Sequence, residues 1–167
     1  LNPFRRKGNE NLKVSLAQAA PQNGGREAYL KGKHDFIVYT LRKALVNSYL
    51  GKTVHIKIDR PLHSVHPGHE NLVYTVNYGY IPNVLGGDEA PLDVYLLGVD
   101  VPVKEFDAHV IGIVHRFDDV EDKLVAAPEG ISFTKEEIAK AVHFQEQYFL
   151  HEIEVFGSLC TAEQKAI

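Results

Sequence analysis

The segment NYGYIPNVLGGDEAPLDV, residues 77–94, decides how the rest of this chain is interpreted. It gathers two tyrosines, two prolines, a Gly-Gly pair and three carboxylates in one loop between segments patterned as strands. Carboxylates crowded on a loop and at the start of a strand repel one another unless a cation lies between them. The segment therefore predicts a site for a hard divalent cation. The alternative is a set of solvated acidic turn formers.

The composition indicates one mildly acidic domain. The chain has 167 residues, a length suited to a single hydrophobic core, and a formal net charge of −4 at pH 7. This charge disfavours a broad nucleic-acid surface, and no apolar run has the length of a membrane span. Cys160 is the one cysteine, which excludes an internal disulfide and is typical of a reducing compartment. We therefore expect a cytoplasmic protein without nucleic-acid or membrane partners.

Strands and helices alternate along the remainder of the chain. Apolar residues at every second position, as in Val54, Ile56 and Ile58, are typical of a half-buried strand. Such patterns predict strands over 53–59, 72–76, 94–99, 108–117 and 124–127. A helix is predicted from Asp35 to Tyr49, with Gly51 ending it.

A second helix begins at the capping box formed by Thr134 and Glu137. The residues expected to form its buried stripe are Ile138, Val142, Phe149 and Ile153.

Several polar side chains lie where strands end. Arg60 precedes a proline that stops the first strand, so its guanidinium can offer a fork of donors to phosphate oxygens. A second acidic cluster, residues 118–123, forms a corner between two strands. There, period-two alternation places Glu121 on the same side as Lys123 and turns Asp122 the other way, which leaves Glu121 and Asp122 as rivals for one role.

Three histidines, His63, His66 and His69, follow the first strand. A zinc site is disfavoured because no cysteine lies nearby and even spacing does not give convergent geometry. We expect His66 to lie near the rim of the site instead.

In its ordered motifs, the chain resembles the soluble, magnesium-dependent inorganic pyrophosphatases. The motifs are Asp59-Arg60, then NYGYIP, then DEAPLDV, then a strand ending at Asp118 with Lys123 following. The resemblance runs from about Gly51 to about Ile153 and is strongest for a small, divergent bacterial branch with a DRP…HP segment. It implies a mainly β, α+β fold: a small OB-like five-stranded barrel with a helix against it. The implied domains are an extension over 1–50 with a helix near 35–50, a barrel over 51–157 and a tail over 158–167.

The resemblance also implies a set of functional residues. Pyrophosphate would be hydrolysed by water held between Mg²⁺ ions, with Mn²⁺ or another divalent ion as alternatives. The implied metal ligands are Asp88, Asp93, Asp118 and either Glu121 or Asp122. The implied phosphate-binding residues are Arg60, Tyr78, Lys123 and Tyr148. Members of this kind assemble as dimers or hexamers, so we expect a homo-oligomer.

Two positions depart from the family pattern. The aspartate that orients or deprotonates the attacking water falls on Ala90, and Glu89 is the available substitute beside the other catalytic carboxylates, Asp88 and Asp93. The lysine that usually follows Tyr148 is Phe149. These departures raise the alternative of a catalytically impaired protein that binds pyrophosphate or a nucleotide. A third alternative, an oligonucleotide-binding barrel, requires aromatic residues on a basic sheet face and conflicts with the acidic loops.

Overall fold

The computed structural model describes residues 25–86, 90–119 and 121–157. Five strands form a closed barrel: β1 (Thr53–Arg60), β4 (Asn77–Leu85), β5 (Pro91–Leu96), β6 (Glu105–Arg116) and β7 (Lys123–Ala127). The other elements are α1 (Gly25–Asn47), β2 (Val65–His66), β3 (His69–Val73), α2 (Lys135–Glu146) and β8 (His151–Val155). The predicted mainly β architecture with a five-stranded barrel is confirmed. Within the described ranges, no helix combines the length and apolar character needed to cross a bilayer.

The long strand β6 closes the barrel. The strands follow the order β1-β4-β5-β7-β6, and β1 pairs again with β6. The first part of β6 pairs with β1, as in Thr53 opposite His109, and the last part pairs with β8, as in Val114 opposite Ile153. The pair β5–β7 is parallel, and the other pairs in the barrel are antiparallel. The 12 residues of β6 therefore serve both the barrel and the additional strand β8.

The central strands are buried on both faces, and this creates two apolar cores. In β5, Val94 and Leu96 lie in the barrel interior, whereas Tyr95 and Leu97, the residue after the strand, face the layer formed with α2. Such two-sided burial explains the continuous apolar runs of β5 and β7 in the sequence. In β5 and β7, the side chains that alternate with those of the barrel interior therefore lie beneath α2. The candidate site is on this face.

The first helix begins earlier than its sequence pattern predicts. It spans Gly25–Asn47, whereas a start at Asp35 was expected. Val46 belongs to the interior core of the barrel, so the last turn of α1 packs at one end of it. Gly51 follows at φ 74°, and a Cβ there would lie 2.5 Å from the Phe156 ring. The proposed division into 1–50, 51–157 and 158–167 stays a prediction, and the tail is outside the described residues.

The segment expected to form a long loop is mostly strand. Residues 77–85 form β4, and β5 begins at Pro91. Gly79 permits the approach of β1, because a Cβ there would overlap the Lys57 carbonyl. Pro82 lies where the β4–β5 register shifts, between Tyr80 and Leu85, so its missing N–H is tolerated. Gly79 and Pro82, which are residue types common in turns, therefore lie within a strand and allow its contacts with neighbouring strands.

The second helix begins as predicted and ends sooner. Thr134 is the N-cap, and the reciprocal hydrogen bonds with Glu137 confirm the capping box. The helix stops at Glu146, so the prediction that Phe149 and Ile153 continue its stripe is wrong. Ile153 is buried instead as the central residue of β8. The spacing of these apolar residues fits a helix, but the alternation in His151–Val155 also fits a strand that β6 can pair.

Candidate active site

Asp93, Lys123 and Tyr78 meet on the face of the barrel that α2 covers. Asp93 enters from β5, Lys123 from the start of β7, and Tyr78 from β4, where it pairs with Tyr95. The Lys123 Nζ lies 2.5 Å from Asp93 Oδ2. The Tyr78 hydroxyl donates to the same oxygen. Three strands thus deliver a carboxylate, an ammonium and a phenol to one point.

Glu121 completes this group from the acidic corner. Its Oε2 accepts a hydrogen bond from Lys123 Nζ at 2.9 Å. Its Oε1 is buried and has no hydrogen-bond partner among the described residues. That oxygen lies 3.1 Å from the position that a Cβ on Gly86 would occupy, so it faces the base of the loop that carries Asp88. A buried carboxylate oxygen without a partner is costly unless a ligand or ion satisfies it.

Electrostatic interactions within this group of four side chains shift the pKa values of three of them. Burial raises the pKa of the Glu121 carboxyl, and the nearby Asp93 charge raises it further against the opposing effect of Lys123. Burial and the same two carboxylates hold the pKa of Tyr78 well above its usual value. Burial alone lowers the pKa of Lys123, but Asp93 and Glu121 outweigh it, so the pKa is raised and the ammonium stays charged. A fixed cation therefore lies between two carboxylates beside a neutral phenol.

Asp122 lies on the opposite face of the same strand end. Its Oδ2 is 2.8 Å from Lys43 Nζ of α1 and 2.9 Å from His115 Nδ1. Burial raises the pKa of Asp122, but the hydrogen bonds of His115 and Lys43 lower it overall. The alternation predicted for this corner thus separates the two rivals: Glu121 faces Asp93, and Asp122 faces α1.

A buried ion-pair network joins β6 to α2 beside the site. Arg116 of β6 binds Glu146 at two points and Asp119 through Nη1 at 2.9 Å. Glu146 also accepts from the Tyr95 hydroxyl, and the Phe149 ring lies 3.6 Å from the Arg116 guanidinium carbon. Arg116 and Glu146 give no signal in the sequence, because no motif joins residues so far apart in the chain.

Arg60 lies toward the rim. It is opposite Tyr78 in the β1–β4 register, and its Nη1 is 3.0 Å from Asp59 Oδ2. Burial raises the pKa of Asp59, Arg60 opposes this effect, and the Asp93 charge adds to it. Tyr74 contacts Tyr78 with a centroid separation of 5.4 Å. Asp59 belongs to the Asp59-Arg60 motif but was assigned no role from the sequence, and Tyr74 lies outside the quoted motifs.

The other predicted site residues are placed differently. Asp118 Oδ1 accepts the Leu150 N–H at 2.9 Å, so it holds the connection between α2 and β8. Tyr148, in that same connection, is 37% exposed. Asp88 and Glu89 lie outside the described residues, but the loop ends are joined by a 2.7 Å hydrogen bond from Gly86 N–H to the Ala90 carbonyl. Among described residues, no group of three His, Cys, Asp or Glu side chains is arranged to hold a metal ion.

The closed barrel first defines the class of fold. It matches the crystal structure of the inorganic pyrophosphatase from Ehrlichia chaffeensis with a TM-score of 0.51 and 19% identity, covering 64% of this chain and 88% of that chain. At this identity the likeness concerns the fold alone.

The sequence then defines the family. The family model described as inorganic pyrophosphatase matches residues 44–160, so the chain belongs to the inorganic pyrophosphatase family. The inorganic pyrophosphatase of Saccharolobus solfataricus is 39% identical over 77 residues, which cover 44% of this chain and 41% of that protein. The inorganic pyrophosphatase of Helicobacter pylori is 32% identical over 101 residues, 58% of this chain and 50% of that protein. The chain thus spans half or less of the length of these two relatives.

Proposed function

We propose that this chain hydrolyses inorganic pyrophosphate to two phosphates with the aid of Mg²⁺. The observation that carries the proposal is the meeting of Asp93 and Glu121, from two distant corners of the chain, on either side of the Lys123 ammonium. Pyrophosphate is compact and highly charged, so its hydrolysis requires cations to neutralise it and donors to hold its oxygens. The site combines carboxylates suited to a metal with basic and phenolic groups suited to phosphate.

Two of the described carboxylates, Asp93 and Glu121, have the donor chemistry that a divalent cation needs. Glu121 Oε1 is a buried carboxylate oxygen to which no described residue donates a hydrogen bond, and the side chain of Asp93 remains 27% exposed. Oxygen ligands of this kind suit Mg²⁺ or Mn²⁺. We propose Asp93, Glu121 and Asp88 as the ligands. We leave Asp118 and Asp122 out of this set because a backbone N–H and the Lys43–His115 pair engage them.

The metal, when bound, would lower the pKa of a water molecule and neutralise developing phosphate charge. The basic and phenolic residues hold the substrate. Lys123 and Arg60 bind phosphate oxygens, and the Tyr78 and Tyr148 hydroxyls donate to them. Because Lys123 is fixed between two carboxylates, its charge is already in place before substrate binds. This preorganisation favours the transition state, in which negative charge on the leaving phosphate increases.

The proton of the attacking water needs an acceptor on the loop of residues 86–90. Ala90 has no side chain for this task. We assign it to Glu89, with Asp88 and Asp93 as the other catalytic carboxylates. Proton transfer to a positioned carboxylate contributes about two to four powers of ten in rate, so a poorly placed Glu89 would reduce turnover.

Release of phosphate from magnesium pyrophosphate tests the proposal. The Asp93→Asn variant should lose at least about a hundredfold in kcat, because it removes the proposed metal ligand and a partner of Lys123. Asp100→Asn is the matched control, since Asp100 is exposed on another loop. Wild-type protein that releases no phosphate above the buffer rate would refute the hydrolase.

A second function is favoured by Ala90 alone: a protein that binds pyrophosphate or a nucleotide without hydrolysing it. Calorimetry that gives tight binding of pyrophosphate together with absent phosphate release would select this alternative. The two functions share the fold and the cationic groups, and they differ in whether Glu89 can serve as the base.

We also propose a cytoplasmic homo-oligomer. Apolar side chains on α1 support the oligomer, because Leu30, Ile37, Leu41 and Leu45 are between 41% and 64% exposed. Residues 48–157 carry 18 acidic and 8 basic side chains, whereas residues 1–47 are net basic. Opposite charges on two parts of one chain favour contact between the extension of one copy and the barrel of another. Light scattering of the wild type beside a Leu41→Lys variant tests this assembly.

A further inference from the structure

The end of β1 contains an irregularity that changes the face on which Arg60 lies. Ile58 is opposite Gly79 in the register with β4. The next pair joins Arg60 to Tyr78, so Asp59 is an extra residue on β1. This is the arrangement of a β-bulge, which bends a strand locally and re-aims a side chain. The bulge therefore lies directly before a residue that the proposed function assigns to phosphate.

Without the bulge, Arg60 would belong to the opposite face of β1. Val54, Ile56 and Ile58 pack in or against the barrel interior, as alternate residues of a regular strand share a face. Continued alternation would add Arg60 to that interior set. Residues directly opposite each other in a sheet also share a face, and Tyr78 belongs to the core beneath α2. The extra residue thus moves Arg60 from the barrel interior to the face of the candidate site.

Asn77 holds the chain that follows this bulge. Pro61 has no N–H, so the hydrogen-bond ladder of β1 ends at Arg60. The next N–H, that of Leu62, donates to Asn77 Oδ1 at 3.0 Å. Asn77 is fully buried and directly precedes Tyr78 in β4. One side chain therefore anchors the segment through which the chain leaves Arg60.

The rest of the Asn77 amide binds the connection between β5 and β6, residues 97–104. Its Oδ1 also accepts the Val103 N–H at 3.3 Å. Its Nδ2 donates to the carbonyls of Val99 and Val101 at 3.0 and 2.9 Å. A side-chain amide has two donor hydrogens and two acceptor lone pairs, so these contacts use its full capacity. Asn77 thus fixes two separate segments of backbone to each other.

The same connection also binds β1 on the other side of the bulge. The Ile58 N–H donates to the Lys104 carbonyl at 2.8 Å. The bulge therefore lies between two fixed points, Ile58 before it and Leu62 after it. Because a one-residue slip in register moves side chains of a strand to the other face, loss of the second point would allow Arg60 to turn away from the site.

We propose that Asn77 is a positioning residue for Arg60, which it keeps on the face of Tyr78 by holding the bulged end of β1 in register. Asn77 is opposite Leu96 of the barrel interior, so it acts through the backbone of β1. The inference rests on the proposed function, in which the Arg60 guanidinium binds a phosphate oxygen. Loss of the Asn77 amide should therefore weaken pyrophosphate binding.

Calorimetry with pyrophosphate in EDTA measures binding in the absence of the Mg²⁺ proposed for turnover. Asn77→Ala should weaken binding about tenfold, the order expected for one lost charge-assisted hydrogen bond. Val46→Ala is the control for lost stability, because Val46 is a buried core residue of α1, and its affinity should stay within about twofold of the wild type. Equal weakening in both variants would assign the effect to general destabilisation and overturn the positioning role.

A comparison in two backgrounds tests whether the effect passes through Arg60. In an Arg60→Gln background, Asn77→Ala should change pyrophosphate affinity by less than about twofold, because the guanidinium is already absent. The same loss in both backgrounds would overturn the inference, and so would an unchanged affinity of Asn77→Ala itself. If Asn77→Ala does not fold, Asn77→Ser, which retains a hydroxyl, replaces it. Failure of both variants to fold would assign Asn77 to stability alone.

Backbone NMR provides a test that needs no ligand. Arg60 and Tyr78 are opposite each other in register, so nuclear Overhauser effects should join their backbone protons in the wild type and in Val46→Ala. These signals should be lost in Asn77→Ala, and their persistence there would contradict the proposal. Phosphate release with Mg²⁺ is measured separately. An inactive protein refutes the hydrolase, whereas the NMR comparison still decides whether Asn77 sets the position of Arg60.

Discussion

Arg116 and Glu146 form a buried two-point ion pair that joins β6 to the end of α2. The Arg116 Nε lies 2.9 Å from Glu146 Oε2, and Nη2 lies 2.5 Å from Oε1. Both residues are almost fully buried. Burial raises the pKa of Glu146, but the Arg116 hydrogen bonds and charge lower it overall, so the pair stays ionised. It fixes α2 over the face on which Asp93 and Lys123 meet.

Removing one partner of this pair should be costly. Glu146→Gln leaves Asp119 as the one described carboxylate bound to the buried Arg116 charge. The loss in free energy of unfolding should be about 3 kcal/mol. Urea unfolding followed by circular dichroism measures it. Glu152→Gln is the control, since Glu152 is exposed on β8 and its contact with Lys135 is 3.8 Å long, so its loss should stay below about 0.5 kcal/mol. Equal losses in both variants would contradict the role of the pair.

His115 should make stability depend on pH near neutrality. Hydrogen bonding to Asp122 raises the pKa of His115 above its usual 6.5, burial opposes this, and Glu154 adds to it, while Lys43 acts against it. Because the folded pKa is raised, the stabilisation is fully present below pH 6.5 and is lost as pH rises through the folded pKa. The free energy of unfolding should fall between pH 6 and pH 9.

His115→Gln should flatten that slope, because glutamine does not titrate. His143→Gln, an exposed change on α2, serves as the control and should leave the slope as in the wild type. A wild-type curve that rises over this interval would show that the contacts of the imidazolium with Asp122 and Glu154 do not stabilise the fold.

Strands with regular patterns were predictable, and strands built for close contact were not. The alternation of Val54, Ile56 and Ile58 and the capping box at Thr134 gave their elements directly. β4 was not predicted because its tyrosines, glycine and proline are residues typical of turns. Their role in β4 is to set the register with the neighbouring strands and to let β1 approach closely, which depends on those strands. β8 was not predicted because the spacing of Ile153 from Val142 also fits a helix. The pairing of Ile153 with Val114 of β6 makes the segment a strand.

The contacts of the acidic corner were predictable because one strand end carried the signal. The alternation of Glu121, Asp122 and Lys123 correctly separates the two faces of the corner, since the structure pairs Glu121 with Lys123 and Asp122 with His115. The partnership of Arg116 and Glu146 was not predictable, because it depends on the path of α2 across the sheet. The roles proposed for Asp88 and Glu89 stay predictions.

Gly79→Ala should disrupt the barrel. A Cβ at Gly79 would overlap the Lys57 carbonyl of the paired strand β1, and backbone cannot rotate away as a flexible side chain can. We expect a loss of more than about 3 kcal/mol or failure to fold, measured by urea unfolding. Gly32→Ala is the control, because nothing lies within 4 Å of a Cβ there and alanine favours the α1 helix by about 1 kcal/mol. A folded Gly79→Ala protein of wild-type stability would refute the close approach.

Restoring an aspartate at position 90 tests the cause of any weak catalysis. Ala90→Asp should raise kcat for magnesium pyrophosphate by about ten- to a hundredfold if Glu89 is a poor base, because a positioned carboxylate contributes two to four powers of ten. Ala90→Asn is the matched control, with similar size and no basic carboxylate. The same increase in both variants would assign the effect to loop structure. No increase in either would show that Glu89 already supplies the base.

Variants of Glu121 and Asp122 distinguish a residue that takes part in catalysis from one that only stabilises the fold. Glu121→Gln removes the carboxylate whose Oε1 has no partner within the described part of the chain. It should reduce kcat by at least about a hundredfold and raise the Mg²⁺ concentration needed for half-maximal rate. Asp122→Asn changes a neighbouring residue by the same chemistry, but its side chain faces Lys43 and His115, so it should lower unfolding free energy and leave the Mg²⁺ dependence unchanged. Phosphate release over a Mg²⁺ series and urea unfolding measure both variants. If Asp122→Asn shifts the Mg²⁺ dependence and Glu121→Gln does not, the metal lies on the other face of the strand, and the proposed ligand set is wrong.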